Sequence, residues 1–309
     1  MPRRPVPLPF NVTLRHLRAV SLVAEYNSFT AAAADLGMTQ SGVSRLIGQV
    51  ERRLGLMLFL RTTRSVIPTV PGREFVASMD RLLQDLDLQV QSARALGGQL
   101  RGRLVISCLL SLTHHLVPGA LVRYRTAHSG VELHLHEGLG AEVHEDVRSG
   151  RADIGIGNVL GLSEDVVVDE QVTESCFAVI PRRHRLASLS AVALKDLAQE
   201  DLVSLPLSSG LRRQIDGVAA MHSLTLRHMT VVEQFGSLYD FVAAGLGLAI
   251  VPASAVPRRM QPGLVIKPLV TPTITRSIGI LRLKNRPLSP AAKGFLEIFL
   301  PHFTIAIRR

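Results

Sequence analysis

Cysteine is almost missing: the 309 residues hold two, Cys108 and Cys176. That is too few for a disulfide scaffold or a cysteine zinc site. Long apolar runs are missing as well. The longest, Phe241 to Pro257, is shorter than a bilayer span and is interrupted by Gly245, Gly247 and Pro252, which excludes it as a membrane helix. The opening residues, Met1-Pro2-Arg3-Arg4-Pro5, lack the apolar core of a secretory signal, so the expected location is the cytoplasm, with reduced thiols and no membrane partner. Catalytic signatures are equally scarce. There is no Gly-x-Ser-x-Gly elbow and no phosphate loop ending in Gly-Lys-Ser/Thr, and Gly155-Ile156-Gly157 followed by Gly161 misses the dinucleotide spacing. Cys176 lies in an apolar strand pattern and is expected in the core. Glu132, His134 and His136 share one strand face, which reads as a solvated surface rather than a metal site, and His114 and His115 point to different helix faces. The expectation is a protein that is not an enzyme and carries no metal or organic cofactor.

What is present is a chain able to fold and a charge excess placed at one end. Hydrophobic residues make up 47%, enough for a sizeable core, and the length suits roughly two domains of ~100–200 residues. Residues 1–70 carry nine arginines and three acids, a net +6; residues 71–101 are neutral, and residues 102–309 carry 22 bases and 18 acids, a net +4. A compact arginine-rich head on a nearly balanced body suits a polyanion. The planar arginine fork donates two hydrogen bonds to one phosphate.

The periodicity of that head predicts a winged helix-turn-helix. Leu14, Leu17, Val20 and Val23 form one helix face, and Asn27-Ser28 breaks it. A second helix runs from Phe29 to Leu36, with Ser28 or Thr30 near its N-cap and alanines 31–34 as a slim body that another helix can cross closely. Gly37-Met38 makes the turn. Thr39 caps a third helix reaching about Leu54, with Val43, Leu46, Ile47 and Val50 inward and Gln40, Ser41, Ser44 and Arg45 outward. A second helix that opens with polar side chains after a short glycine turn is the layout that reads a major groove. Leu56–Arg61 and Ser65–Thr69 then form a hairpin wing carrying Arg61 and Arg64, suited to a narrow minor groove.

From Leu14 to Gly72 the chain resembles the DNA-binding domain of LysR-type transcriptional regulators. The matching residues are Ser28-Phe29-Thr30, Ala32-Ala33, Leu36, Thr39-Gln40-Ser41-Gly42-Val43-Ser44, Ile47, Glu51, Leu54-Gly55, Leu58-Phe59, Arg61, Thr69 and Gly72; Pro71 departs from the usual small residue. The resemblance implies a double-stranded DNA operator as partner, with Thr30, Thr39, Gln40, Ser41, Ser44, Arg45, Arg61 and Arg64 as contacts.

A further helix starting near Pro71 has an apolar stripe of Phe75, Met79, Leu82, Leu83, Leu86, Val90 and Ala93, opposite Arg81, Asp85, Asp87, Gln89 and Gln91. The stripe needs cover, from a partner chain or from the body of its own chain. Gly97 to Arg103 reads as a hinge. The family uses this helix for dimerisation, and a homotetramer is its usual assembly, with RNA polymerase as a further partner.

The rest reads as α/β. Leu104–Cys108, Val131–His136 and Asp153–Gly157 are predicted strands, separated by helices at Leu112–Thr126 and Gly140–Ser149, an order that implies a parallel sheet with ligands at strand C-termini. A second lobe starts near Gln171: strand Cys176–Ile180, helix near Leu194–Ala198, strand Leu202–Leu205, helix Leu211–Met221, strand Thr230–Glu233, helix Phe235–Ala244 and strand Leu246–Val251. A strand Thr273–Leu283 returns to the first lobe, and a helix Pro290–Phe303 closes the chain. Leu116-Val117-Pro118, Gly150-Arg151-Ala152-Asp153, Pro181 to Ala187, Val242 to Gly247 and Ser289 to Ala292 resemble LysR-type effector-domain signatures. The expected architecture is α/β: a winged helix-turn-helix domain over residues 12–70, a long linker helix over 71–98, and a two-lobed, periplasmic-binding-protein-like effector domain over 99–309. Lobe I covers about 103–170 and 272–309, and lobe II about 171–271.

Three predicted helix starts point at the cleft between the lobes: Ser111, Gly138-Leu139-Gly140 and Ser208-Ser209-Gly210. Helix N-termini attract anions. The spacing of Ser111 from Pro118 resembles that of the effector-contacting Ser or Thr in the family, with Thr113 a turn away. Gly140 stands where relatives often carry a second Ser or Thr, leaving backbone N–H alone or room for a bulkier ligand. Leu211 and Phe235 stand where relatives have apolar pocket walls. The expected effector is a small organic acid with an apolar or aromatic body. The alternative reading is an α/β enzyme or solute-binding protein with a nucleic-acid-tethering head.

Overall fold

The computed structural model describes residues 12–61, 66–96, 100, 102–113 and 116–307, and two compact units divide the chain, one up to Val90 and one from Gln91 onward. The first unit opens with helices α1 (Leu14–Tyr26), α2 (Phe29–Asp35) and α3 (Gln40–Leu54). Their ends follow from local chemistry. The Ser28 hydroxyl accepts the Ala31 N–H at 3.2 Å, and the Thr39 hydroxyl accepts the Gly42 N–H at 3.1 Å, so α2 and α3 both start on a side-chain cap. Gly37 adopts φ 59°, the left-handed conformation that lets the chain turn between them. Phe29, Ala32, Val20, Val43, Ile47 and Val50 are buried together. Leu46 is only half-buried, and the face of α3 instead adds a buried acid, Glu51.

Glu51 fixes the wing. Its Oε1 accepts the backbone N–H groups of Leu58, at 2.9 Å, and Phe59, at 3.3 Å, where strand β1 (Phe59–Arg61) begins its antiparallel pairing with β2 (Val66–Pro68). Thr69 then donates its hydroxyl to Met57 O at 2.7 Å and accepts the Gly72 N–H, starting α4 (Val70–Leu96). A Cβ at Gly72 would stand 2.0 Å from Leu58 O, so that close approach of helix and wing requires glycine. Along α4, Phe75 packs on the first unit's core, while Leu82, Leu86 and Val90 are 48%, 41% and 39% exposed. Leu88, outside the stripe read from the sequence, is the buried leucine of this stretch. The Ser21 hydroxyl donates to Asp80 Oδ1 at 2.5 Å, tying α1 to α4.

In the second unit the elements are β3 (Gly102–Leu109), α5 (Leu110–Thr113), α6 (Val117–Ala127), β4 (Val131–Gly138), α7 (Gly140–Arg148), β5 (Ile154–Asn158), β6 (Val166–Pro181), β7 (Val192–Ala193), α8 (Leu194–Leu197), β8 (Asp201–Ser204), α9 (Gly210–Met221), β9 (Arg227–Val231), α10 (Phe235–Ala243), β10 (Ala249–Pro252), β11 (Leu264–Val270), β12 (Thr275–Leu283) and α11 (Pro290–Ile307). The main sheet has the order β4-β3-β5-β12-β6-β11-β7, with β10 also paired to β6, and β8 and β9 form a separate parallel pair. Strands β4, β3 and β5 run parallel, as the βαβαβ order requires.

Several predicted elements differ. The helix expected over Leu112–Thr126 is two, α5 and α6, since Pro118 suits a helix start and the turn at Leu116 intervenes; His114 and His115 lie outside the described residues. The strand expected over Cys176–Ile180 is the end of the 16-residue β6, which passes from a core containing Val172 to one containing Cys176. Strand β12 makes the second passage, with Ile274 just before it in one core and Ile278 in the other. Strand β11 was not anticipated, because Lys267 and Pro268 interrupt its apolar pattern. The closing helix runs past Phe303 through Pro301, and its Phe295, Phe299 and Phe303 are fully buried. Phe295 stacks on Phe299 at 5.1 Å, and the buried Tyr124 donates to Ala291 O at 3.0 Å. No helix among the described residues is long and apolar enough to cross a membrane.

Glu51→Ala strands two buried backbone N–H groups at a cost of about 2 kcal/mol. Amide exchange across residues 56–61, read by mass spectrometry on the whole chain, should accelerate roughly 30-fold, while exchange in β12 stays unchanged.

Candidate effector cleft and nucleic-acid-facing helix

The second unit carries a cleft lined by Leu109, Leu110, Ser111, Gly138, Leu139, Gly140, Asn158, Leu205, Ser209, Gly210, Leu211, Glu233, Phe235 and Arg276. Five residues predicted from the sequence therefore converge: Ser111, Gly140, Ser209, Leu211 and Phe235. Two do not. Thr113 is buried, with its hydroxyl donated to Leu110 O at 3.1 Å, and Ser208 is exposed; neither lines the cleft. Ser111 stands inside the single turn of α5, rather than ahead of a long helix.

Sequence reasoning missed Arg276, Asn158 and Glu233. Arg276 on β12 and Glu174 on β6 face each other in register, with their side chains 5% and 0% exposed. Arg276 Nε donates to Glu174 Oε1 at 2.7 Å; its Nη2 donates to Ser111 Oγ at 2.6 Å and to Ser254 Oγ at 3.0 Å. Glu174 also accepts the Ser254 N–H at 2.6 Å and the Ser254 hydroxyl at 3.0 Å. The only signal for this pair was a charged residue within each of two otherwise buried strand stretches.

Asn158 ends β5. Its Nδ2 lies 3.0 Å from where a Cβ would stand on Gly140 and on Gly210, the first residues of α7 and α9. The carboxamide thus takes the space that the glycine at 140 leaves, so no room for a bulkier ligand opens there. A Cβ at either helix start would crowd this carboxamide, which would have to give way by a few tenths of an ångström. Its Oδ1 is buried with no hydrogen-bond partner among the described residues.

Both thiols are buried, and burial pushes each up, that of Cys176 to about 12. Among the described residues no group of three or more His, Cys, Asp or Glu could hold a metal. His134 pairs with Glu132 at 2.9 Å, and His136 lies 3.6 Å from Asp146.

In the first unit, Thr30, Thr39, Gln40, Ser41 and Arg45 are exposed and Ser44 is half-buried. No acid occupies the first turn of α3, which leaves its positive end open. Arg61 ends β1, with its side chain outside the described residues, as is Arg64 altogether.

A three-helix winged unit joined to a two-core α/β unit with a cleft defines a class: a regulator that couples a nucleic-acid-facing head to a ligand-sensing body. Known proteins agree. A family model described as LysR substrate binding domain matches residues 97–304, and one described as bacterial regulatory helix-turn-helix protein, lysR family, matches residues 14–73. An uncharacterized HTH-type transcriptional regulator, YfeR of Shigella flexneri, is 30% identical over 288 residues, 93% of each chain. The transcriptional dual regulator GltC of Bacillus subtilis (strain 168) is 28% identical over 292 residues, 94% of this chain and 97% of that one. Among solved structures, a cysteine-to-aspartate variant of full-length OxyR from Pseudomonas aeruginosa matches with a TM-score of 0.77 at 21% identity, covering 97% of both chains. Full-length CbnR complexed with its target DNA matches at 0.68 and 20%, covering 94% of this chain and 99% of that one. The chain belongs to the LysR family: it is a LysR-type transcriptional regulator with a helix-turn-helix domain and an effector-binding domain, not an enzyme.

Two outcomes test this site's chemistry. Glu174→Ala leaves a buried guanidinium unpaired and should destabilise the second unit by about 3–5 kcal/mol, whereas replacing Arg276 and Glu174 together by methionine should recover most of the loss in thermal denaturation. Neither thiol should react with Ellman's reagent at pH 8 in the native protein, and both should react in guanidinium, because burial holds them protonated.

Proposed function

We propose that this regulator reads an operator through α3 and responds to a small organic acid held in the cleft. The observation that carries the reading is the polar, cap-started and acid-free first turn of α3, with Gln40, Ser41 and Arg45 exposed on it. Gln40, Ser41, Ser44 and Arg45 contact base edges and phosphates in the major groove. Thr30 and Thr39 contact the backbone, and Arg61 and Arg64 carry the wing into the minor groove. That CbnR, which shares the fold, was solved on its target DNA supports DNA as the partner.

The domains divide as 12–70, 71–98 and 99–309. The exposed Leu82, Leu86 and Val90 of α4 pair with a second chain, a two-fold dimer reads a two-fold site, and a pair of dimers makes the homotetramer. RNA polymerase is a further partner, and the cytoplasm is the place of action. Ser111, Gly140, Ser209, Leu211 and Phe235 line the effector site, and Thr113 and Ser208 lie next to it in sequence without lining it. The effector carboxylate meets the start of α9 and the Ser111 hydroxyl, and the apolar walls take its body. No separate cofactor is needed. The effector acts by favouring one arrangement of the lobes over another, which requires unequal affinity for the two.

Operators found by genome-wide footprinting supply the test. Arg45→Ala should weaken binding about 10-fold and lower the slope of log K against log salt by about 1, with effector affinity unchanged. Mobility shifts identical to those of the parent protein would refute the placement of α3.

A further inference from the structure

The charges around the cleft do not suit a simple anion. Arg276 and Glu233 are its charged lining residues. Arg276 is already neutralised by the buried Glu174. Glu233 forms no ion pair with any described residue and is exposed, one position before the N-cap of α10. The lining side chains together with Glu174 therefore sum to one negative charge, while Arg213, beside Gly210, directs its Nη1 away to Leu207 O at 2.8 Å and Ser208 O at 2.9 Å. The start of α7 does not redress this, because Glu142 in its first turn already accepts the Leu139 N–H at 2.6 Å. A plain carboxylate would meet an unanswered acid, at a Coulomb cost that grows as water leaves.

The cleft's donors lie on other residues. Ser111 Oγ accepts from Arg276, so its own hydroxyl hydrogen is left to donate. Ser209, 4% exposed, stands at the N-cap of α9 but makes no capping hydrogen bond, unlike Ser28 and Thr39; its hydroxyl has no partner among the described residues. The 12-residue α9 has no acid in its first turn, so its positive end is open. Beside these donors, Asn158 presents a buried Oδ1, an acceptor with no hydrogen-bond partner among the described residues.

Resting on the reading of this cleft as the effector site, we propose that the effector is amphoteric: a small molecule of the α-amino-acid class. Its carboxylate accepts from Ser111, Ser209 and the start of α9. Its ammonium group faces Glu233. Its apolar side chain lies against Leu211 and Phe235. Such a ligand has no net charge and matches a cleft whose donors and free acid reside on different elements. Glu233 also favours the positive end of α10, so its effect on stability and its effect on ligand choice must be read apart.

The test uses the full chain and matched probes: each apolar L-amino acid, its des-amino acid and its primary amide, for example L-phenylalanine, 3-phenylpropanoate and L-phenylalaninamide, at millimolar concentration. Thermal shift identifies binders and calorimetry ranks them. At least one amino acid should bind about 10-fold or more tightly than both of its analogues, each tenfold step being ~1.4 kcal/mol. Glu233→Gln should reduce the preference over the des-amino acid to under about 3-fold, with no more than a small drop in melting midpoint from the charge lost at the start of α10, whereas Ser209→Ala should weaken the amino acid and the des-amino acid alike. A des-amino acid that binds as tightly as its amino acid overturns the ammonium site and leaves the organic-acid reading standing. Amides that bind as well as acids overturn the carboxylate contacts. Binding by no probe overturns both.

Discussion

One buried charge pair sets the conditions for the second unit. Arg276 and Glu174 face each other on the two strands that pass between its cores, with both side chains almost out of water. Such a pair is a poor source of stability, because desolvation consumes most of its attraction. Its effect is on arrangement. Neither charge tolerates separation, so every group that touches the pair is constrained with it. Those groups are Ser111 of the cleft and Ser254 beside β10. The cleft floor and the crossing strands are therefore one polar cluster, and a ligand that takes up the Ser111 hydroxyl acts on that cluster directly.

The first unit follows the same pattern with a different acid. Glu51 sits on α3 but spends its carboxylate on the backbone of the wing. Thr69 and Gly72 bring α4 against the root of the same wing, at Met57 and Leu58. The polar turn of α3 and the root of the wing therefore move together, which suits a head that must place both against one rigid partner.

Much of this was legible in the sequence, and the parts that were not share a physical reason. Caps and periodicity are local, so Thr39, Gly37, α3 and the βαβαβ order of the first lobe could be read from neighbours alone. Ser209 could be placed because helix starts gather at strand ends, and Leu211 and Phe235 because they stand where the family has apolar pocket walls. Arg276 and Asn158 could not. Each matters through a partner far along the chain, Glu174 and Ser111 for the first, Gly140 and Gly210 for the second. Strand β6 was half-read because its first half carries Asp169, Glu170 and Gln171, which resemble a loop until its pairing with β12 is known. The break between α5 and α6 was hidden because Val117-Pro118 is equally compatible with a helix start and with a helix already under way.

Strand β6 also determines how the two lobes can shift. At ~3.3 Å per residue its 16 residues span roughly 50 Å as a single ribbon. It is clamped by β12 along one half and by β10 and β11 along the other. Sliding one lobe along the other would break a whole ladder, whereas winding the ribbon between its clamps disturbs only the few bonds where the clamps change over. The body is therefore built stiff to sliding and compliant to winding, an anisotropy set by where the two clamps on one ribbon meet.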